Sequence, residues 1–256
     1  MRKKKSLGQH FLKNRTVLRN IAEAVAAGPN DCVIEIGGGN GALTTELADR
    51  YTNLHVIEID KRAVDILHER FENIEIHHCD IMEFDWKDIQ QYQDQNQLYI
   101  VGNLPYYLTT PILFRLLEIR SQVDSAVLMM QKEVAERIIT PSGSKTYGIL
   151  SVQLQLMCTI EKLFDVPPED FSPPPKVDST ALHFRFNQPA LRCREKNLKK
   201  VVKTAFNQRR KKLSNALGNL LGDYKPDAID LNKRAEKITP RQYETLTAEL
   251  EKSDIL

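Results

Sequence analysis

Between residues 16 and 131 the chain alternates apolar, strand-like runs with amphipathic helical segments, and this alternation constrains its fold more than any other feature. "TVLRNIAEAVAA", "ALTTELADRY", "RAVDILHERF" and "TPILFRLLEIR" set apolar residues three and four apart, which gives a helix one apolar face. Between them stand "CVIEIGGG", "NLHVIEID", "IEIHHCD", "LYIVGN" and "SAVLMMQ". Most of these are nearly continuous in apolar character, as strands buried on both faces must be. Strands alternating with helices predict an open, mostly parallel sheet covered on both sides. Ligands of such sheets lie beyond the carboxyl ends of the strands, so the residues that follow each apolar run are where chemistry is expected.

Later in the chain "STALHFRF" alternates like a half-buried edge strand. "VPPEDFSPPPKVDS" reads as a rigid surface loop. Near residue 187 "NQPALRC" breaks the pattern, and the segment beyond it is helical, with Leu198, Val201, Val202, Ala205 and Phe206 on one face and a further helix in "RRKKLSNAL". A first domain over 1–187 and a small helical domain over 188–256 are expected.

At 256 residues, 41% hydrophobic and 27% charged, the composition is that of a globular protein with a substantial core. No apolar run approaches a membrane span, and "MRKKKSLGQHFL" lacks the apolar stretch of a signal peptide, so a cytoplasmic protein is expected. Cys32, Cys79, Cys158 and Cys193 lie far apart and the histidines complete no zinc spacing, so neither disulfides nor a metal is expected. The net charge of +2 conceals strong segregation. Residues 192–212 hold ten basic side chains against Glu195 alone, and Arg2, Lys3, Lys4 and Lys5 add four more. That leaves 22 basic residues against 33 acidic ones elsewhere, a pattern that points to a polyanionic partner. Arg209, Arg210, Lys211 and Lys212 are the candidate phosphate contacts, and a merely solvated helix face is the alternative.

Gly37, Gly39 and Gly41 in "VIEIGGGNGALT" follow a strand and precede a helix, where bare N–H groups can cradle a nucleotide-like ligand. The same spacing fits a dinucleotide loop, so by itself it does not distinguish NAD from other nucleosides. Glu58 ends the next strand, placed to accept both hydroxyls of a ribose, or else simply solvated. Asp80 ends the strand after that, placed for an adenine amino group or as a helix cap. In "IVGNLPYYLTT", Asn103 stands at a strand end, Pro105 stiffens the turn without offering an N–H, and Tyr106 presents a flat face to a base. A plain strand-to-helix turn is the alternative.

"GQHFL" at residues 8–12, "EIGGGNGALT", "VIEID", "GNLPYY" and "FSPPPKVDS" occur in the order and spacing of the ribosomal RNA adenine dimethyltransferases. From residue 6 to about 250 the chain resembles the branch that modifies small-subunit ribosomal RNA. Two departures stand out: Gly38 replaces a usual proline, which should loosen the loop slightly, and His10 replaces a more usual asparagine. The resemblance implies a Rossmann-like class I methyltransferase fold with a seven-stranded sheet, in which residues 1–15 contribute to the site. It also implies S-adenosylmethionine as cofactor, held by His10, Leu12, Gly37, Gly39, Glu58, Asp80, Ile81 and Asn103. The implied reaction is double methylation of N6 on each of two adjacent adenines in a hairpin near the 3′ end of small-subunit RNA. Asn103, Leu104, Pro105 and Tyr106 would act on the amine, Phe171 would close the other side of the base pocket, and a monomer acting on a pre-ribosomal particle is expected. The alternative within this reading is a large-subunit adenine methyltransferase of the antibiotic-resistance type.

Overall fold

The computed structural model describes residues 10–87, 89 and 97–256. The basic residues at positions 2–5 lie outside the described residues. The described residues fall into two compact units, one drawn from 10–135 and 160–186 and the other from 136–159 and 187–256.

The first unit is built on β2 (Cys32–Ile36), β3 (Leu54–Glu58), β4 (Glu75–His78), β5 (Leu98–Asn103) and β6 (Val123–Gln131), all paired in parallel. With β7 (Thr159–Val166) and β9 (Ser179–Arg185) they form a seven-stranded sheet of order β4-β3-β2-β5-β6-β9-β7. Every residue of β2 and β3 is buried, as a parallel strand covered on both faces requires. The chain moves outward through β3 and β4 on one side of β2 and then returns to its other side with β5. The sheet's switch point therefore lies between β2 and β5, where Cys32, Val33, Ile34 and Glu35 pair with Leu98, Tyr99, Ile100 and Val101. Such a reversal opens a crevice at the strands' carboxyl ends.

Helices α1 (Arg15–Ala24), α2 (Ala42–Ala48), α3 (Lys61–Arg70) and α4 (Thr109–Glu118) supply the apolar faces expected of them. On α1, Leu18, Ile21 and Ala22 are buried in a cluster with Leu43, Leu47, Val33 and Val101, where each large aliphatic side chain contributes about 1.5–3 kcal/mol. The Asn14 side chain starts α1 by accepting from the Thr16 and Val17 N–H groups, and its amide donates to Asp170 at 3.0 Å. That bond ties the entering chain to β8 (Phe171–Ser172), which pairs antiparallel with β1 (Phe11–Leu12).

Two sequence expectations change here. β9 is not an edge strand: it runs antiparallel to β6, all but Arg185 is buried, and β7 lies outside it. The true edge, β7, carries exposed Glu161 and Lys162, charges of the kind that keep an edge from pairing with another chain. "FSPPPKVDS" begins as a strand rather than a surface loop, because Phe171 pairs with Leu12.

Helix α5 (Lys132–Ile139) spans the division between the units. The second unit then comprises α6 (Ile149–Met157), α7 (Glu195–Asn207), α8 (Leu213–Ala216), α9 (Gly218–Leu221) and α10 (Pro240–Lys252). Residues 136–159 belong to it although they precede residue 187. Seven of the nine residues of α6 are buried, and just before it Tyr147 donates to the Ile238 carbonyl at 3.0 Å. A helix so apolar finds its cover within the helical unit, against α7 and α10.

Candidate active site

At the switch point, β2 runs into the glycine loop and β5 into Asn103, so two motifs separated by more than sixty residues meet at one end of the sheet. Gly102 permits the approach: a Cβ there would stand 2.7 Å from the Ile36 carbonyl oxygen. His10, Leu12, Gly37, Gly39, Glu58, Asp80, Ile81, Asn103, Leu104, Pro105 and Tyr106 all line one cleft.

The loop is held from below by Glu58. Its Oε2 accepts from the Gly39 N–H and its Oε1 from the Asp60 N–H, each at 2.8 Å, so a buried carboxylate is fixed before any ligand arrives. Gly39 has φ +56°, and a Cβ on it would lie 2.9 Å from the Phe11 ring. The loop thus closes against the N-terminal strand with bare backbone. Gly38 does not slacken it: a Cβ there would come within 2.5 Å of Val56 Cγ1 and 2.9 Å of Leu67 Cδ1, so the absence of a side chain leaves tight packing. Asp80 accepts from the Met82 N–H at 2.9 Å, fixing a turn with one oxygen rather than capping a helix.

Asn103 donates through Nδ2 to the His10 carbonyl at 3.0 Å. A carbonyl can only accept, so this bond puts the amide's other end, the acceptor Oδ1, on the opposite side. The Leu104 N–H donates to the Met129 carbonyl at 3.0 Å, anchoring the turn to β6. The Tyr106 hydroxyl shares a hydrogen bond of 2.8 Å with Ser179, and its ring stacks on His10 at 5.5 Å and 22°. Burial raises the phenol's pKa, with the Ser179 bond acting against it, so Tyr106 stays neutral at physiological pH. His10 Nδ1 donates to the Pro173 carbonyl at 2.8 Å.

Glu35 had no sequence expectation, yet it lines the cleft. It accepts from the Thr44 hydroxyl at 2.6 Å, and burial pushes its pKa up to about 8, the Thr44 bond opposing and nearby Glu58 adding to the shift. An acid inside the otherwise apolar "VIEI" was the available signal. Tyr107, exposed at 56%, lines the same cleft.

Two expectations fall elsewhere. Phe171 is 1% exposed and belongs to the core beside Leu12 and Val166, so it does not wall the cleft; its pairing with Leu12 turns it inward. Arg209, Arg210, Lys211 and Lys212 do not share a helix face, since they fall on the turn between α7 and α8. Arg209 donates to the Ser144 and Lys145 carbonyls at 3.4 and 2.5 Å, and Lys212 to Asn232 at 3.2 Å. Arg210 and Lys211 are exposed and make no side-chain bond to any described residue.

Among the described residues no group of three His, Cys, Asp or Glu side chains could hold a metal ion, and no helix is long and apolar enough to cross a membrane.

The model of the ribosomal RNA adenine dimethylase family matches residues 1–252. The chain belongs to that family. It is 40% identical over 243 residues to the ribosomal RNA small subunit methyltransferase A of Hydrogenovibrio crunogenus, covering 92% of this chain and 91% of that one. Among solved structures it is similar to a dimethyladenosine transferase from Plasmodium falciparum, with a TM-score of 0.81, 25% identity, and 96% and 98% of the two chains covered. It is also similar to the 23S rRNA methyltransferase ErmE, with a TM-score of 0.65, 25% identity, and 94% and 99% covered. The fold is accordingly that of the class I methyltransferases, and the dimethylase family uses S-adenosylmethionine.

Proposed function

We propose that this cleft binds S-adenosylmethionine and that the chain dimethylates N6 of two adjacent adenines near the 3′ end of small-subunit ribosomal RNA. The observation that carries this reading is the meeting of the glycine loop, the Glu58 carboxylate and Asn103 in one cleft at the sheet's switch point. The residues suit such a cofactor. The loop backbone is bare on the side facing Phe11, Glu58 is pre-set for ribose hydroxyls, and the Asp80 carboxylate lies where an adenine amino group would be read. Gly37, His10, Leu12 and Ile81 also line the cleft. Bound there, the cofactor supplies an electrophilic sulfonium methyl group.

The chain's own residues deal with the nucleophile. The N6 lone pair of adenine is delocalised into the ring, so the nitrogen must be held in line and drawn toward a pyramidal geometry. Asn103 Oδ1, aimed by the bond from Nδ2 to His10, and the Leu104 carbonyl accept the amino hydrogens. Pro105 fixes the turn that carries them, and the free face of Tyr106 stacks the extruded base. The proton displaced by methylation leaves to water, because an aminium conjugated with a purine is a strong acid. Positioning and oriented dipoles carry the rate.

The small-subunit substrate is favoured over the large-subunit one by the higher structural similarity to the dimethyladenosine transferase and by the names of the curated relatives. We place the reaction in the cytoplasm, on a pre-ribosomal particle, with a monomeric enzyme whose second unit contacts RNA. Asn103→Ala tests the mechanism. Single-turnover transfer should slow by roughly a hundred to a thousandfold with cofactor affinity and melting temperature preserved. Transfer at the parental rate by a stable variant would make Asn103 a mere turn residue.

A further inference from the structure

Beside the first cleft lies a second cavity of the same unit, sharing Phe11, Leu12, Leu18, Asn40 and Ala42 with its neighbour. Its remaining wall is different in character, with Lys13, Arg15 and Arg70 against a single acid, Glu46. Glu46 is already paired with Arg19 at 3.8 Å. Arg70 is held in place by donating to the Asn40 carbonyl and, at 2.9 Å, to the Thr45 hydroxyl, with the Phe71 ring 5.1 Å away. Lys13 and Arg15 are exposed, and their side chains bond to no described residue.

Local structure does not account for Lys13 and Arg15. Arg15 is the first residue of α1, whose opening turn holds no acid, so its charge opposes the helix dipole. The body of the chain outside its two basic segments is net acidic and would repel a polyanion from the cleft unless cations stood at that point. A base drawn into the first cleft leaves its flanking phosphates outside, and the second cavity offers cations across a shared wall.

We propose that the second cavity binds a backbone phosphate of the RNA strand flanking the target adenosine, with Lys13 and Arg15 as its ligands and Arg70 as a fixed positive wall. The proposal rests on the RNA substrate argued above. Phosphate contacts fix position without reading sequence, so this site would set how the strand enters the cleft.

The test is the full-length Lys13→Gln/Arg15→Gln variant, with binding to purified small ribosomal subunits measured across a salt series and S-adenosylmethionine affinity measured by calorimetry. Each lost contact should reduce the slope of log affinity against log salt by about 0.7 to 0.9, so by about 1.5 for the pair, with cofactor affinity unchanged. Lys13→Gln alone should lose half of that and covers the case in which the double variant folds poorly. An unchanged slope in either stable variant overturns the proposal. So does a matching loss of cofactor affinity, which would assign the cations to the cofactor's carboxylate. The slope is read from binding alone, while methyl transfer by the parent chain into the same particles is read in parallel. A lowered slope without parental transfer would therefore contradict the catalytic reading and keep the phosphate site; transfer with an unchanged slope would do the reverse.

Discussion

Glu58 ties the glycine loop to the end of β3. Both of its oxygens already accept backbone N–H bonds, so Glu58→Ala should weaken S-adenosylmethionine binding by about 1.5–3 kcal/mol, the range for a hydrogen bond to a charged group, and also release the Gly39 turn. Calorimetry showing unchanged affinity would make the residue a structural strut alone. Glu35 gives a pH prediction. Its folded pKa, raised by burial to about 8, exceeds the ordinary carboxylate value of 4.5, so the folded state holds its proton more tightly than the unfolded chain does. Its contribution is therefore fully present below pH 4.5 and is lost as pH rises through 8. Glu35→Gln, which keeps an acceptor for Thr44, should flatten that part of the decline in melting temperature between pH 5 and 9; an unaltered profile would contradict the assignment. Strand ends made Glu58 and Asn103 legible in the sequence, because a buried strand must end where its apolar run ends, whereas Asp80 lies two residues beyond β4, a strand with no buried residue. Phe171 was misplaced because its side is set by pairing with a strand 159 residues earlier, a long-range register that local pattern does not encode.

At the scale of elements, the parallel strands β2, β3 and β5 were legible because burial on both faces writes itself as apolar runs. β7 was not, since an edge strand with Glu161 and Lys162 pointing outward lacks that signature, and overlooking it made β9 look like the edge. The turn between α7 and α8 was read as helix from its flanks, whereas its basic residues differ in bonding: Arg209 and Lys212 are held by described residues, and Arg210 and Lys211 by none. Arg209→Gln should lower stability by about 1 kcal/mol in urea unfolding through loss of the Ser144 and Lys145 carbonyl bonds. Arg210→Gln/Lys211→Gln should leave the unfolding midpoint in place and reduce the salt slope of RNA binding by about 0.7 to 0.9 per contact. The opposite assignment of the two effects would contradict this division.

For the whole molecule, charge segregation and fold class were apparent from the chain, but the excursion of residues 136–159 into the helical unit was not, because an apolar helix such as α6 does not announce which core it joins. On the function proposed above, the unit that holds the cleft carries the chemistry and the basic residues of the helical unit supply attraction for RNA. Dimethylation of adenine in small-subunit RNA is the activity proposed above for the cleft of the first unit. It is tested most directly by incubating the protein with labelled S-adenosylmethionine and each purified, unmethylated ribosomal subunit, then digesting the RNA and identifying the labelled nucleoside. The expected product is N6,N6-dimethyladenosine from the small subunit, confined to its 3′-terminal fragment. Label in large-subunit RNA instead, or in any nucleoside other than adenosine, would contradict it.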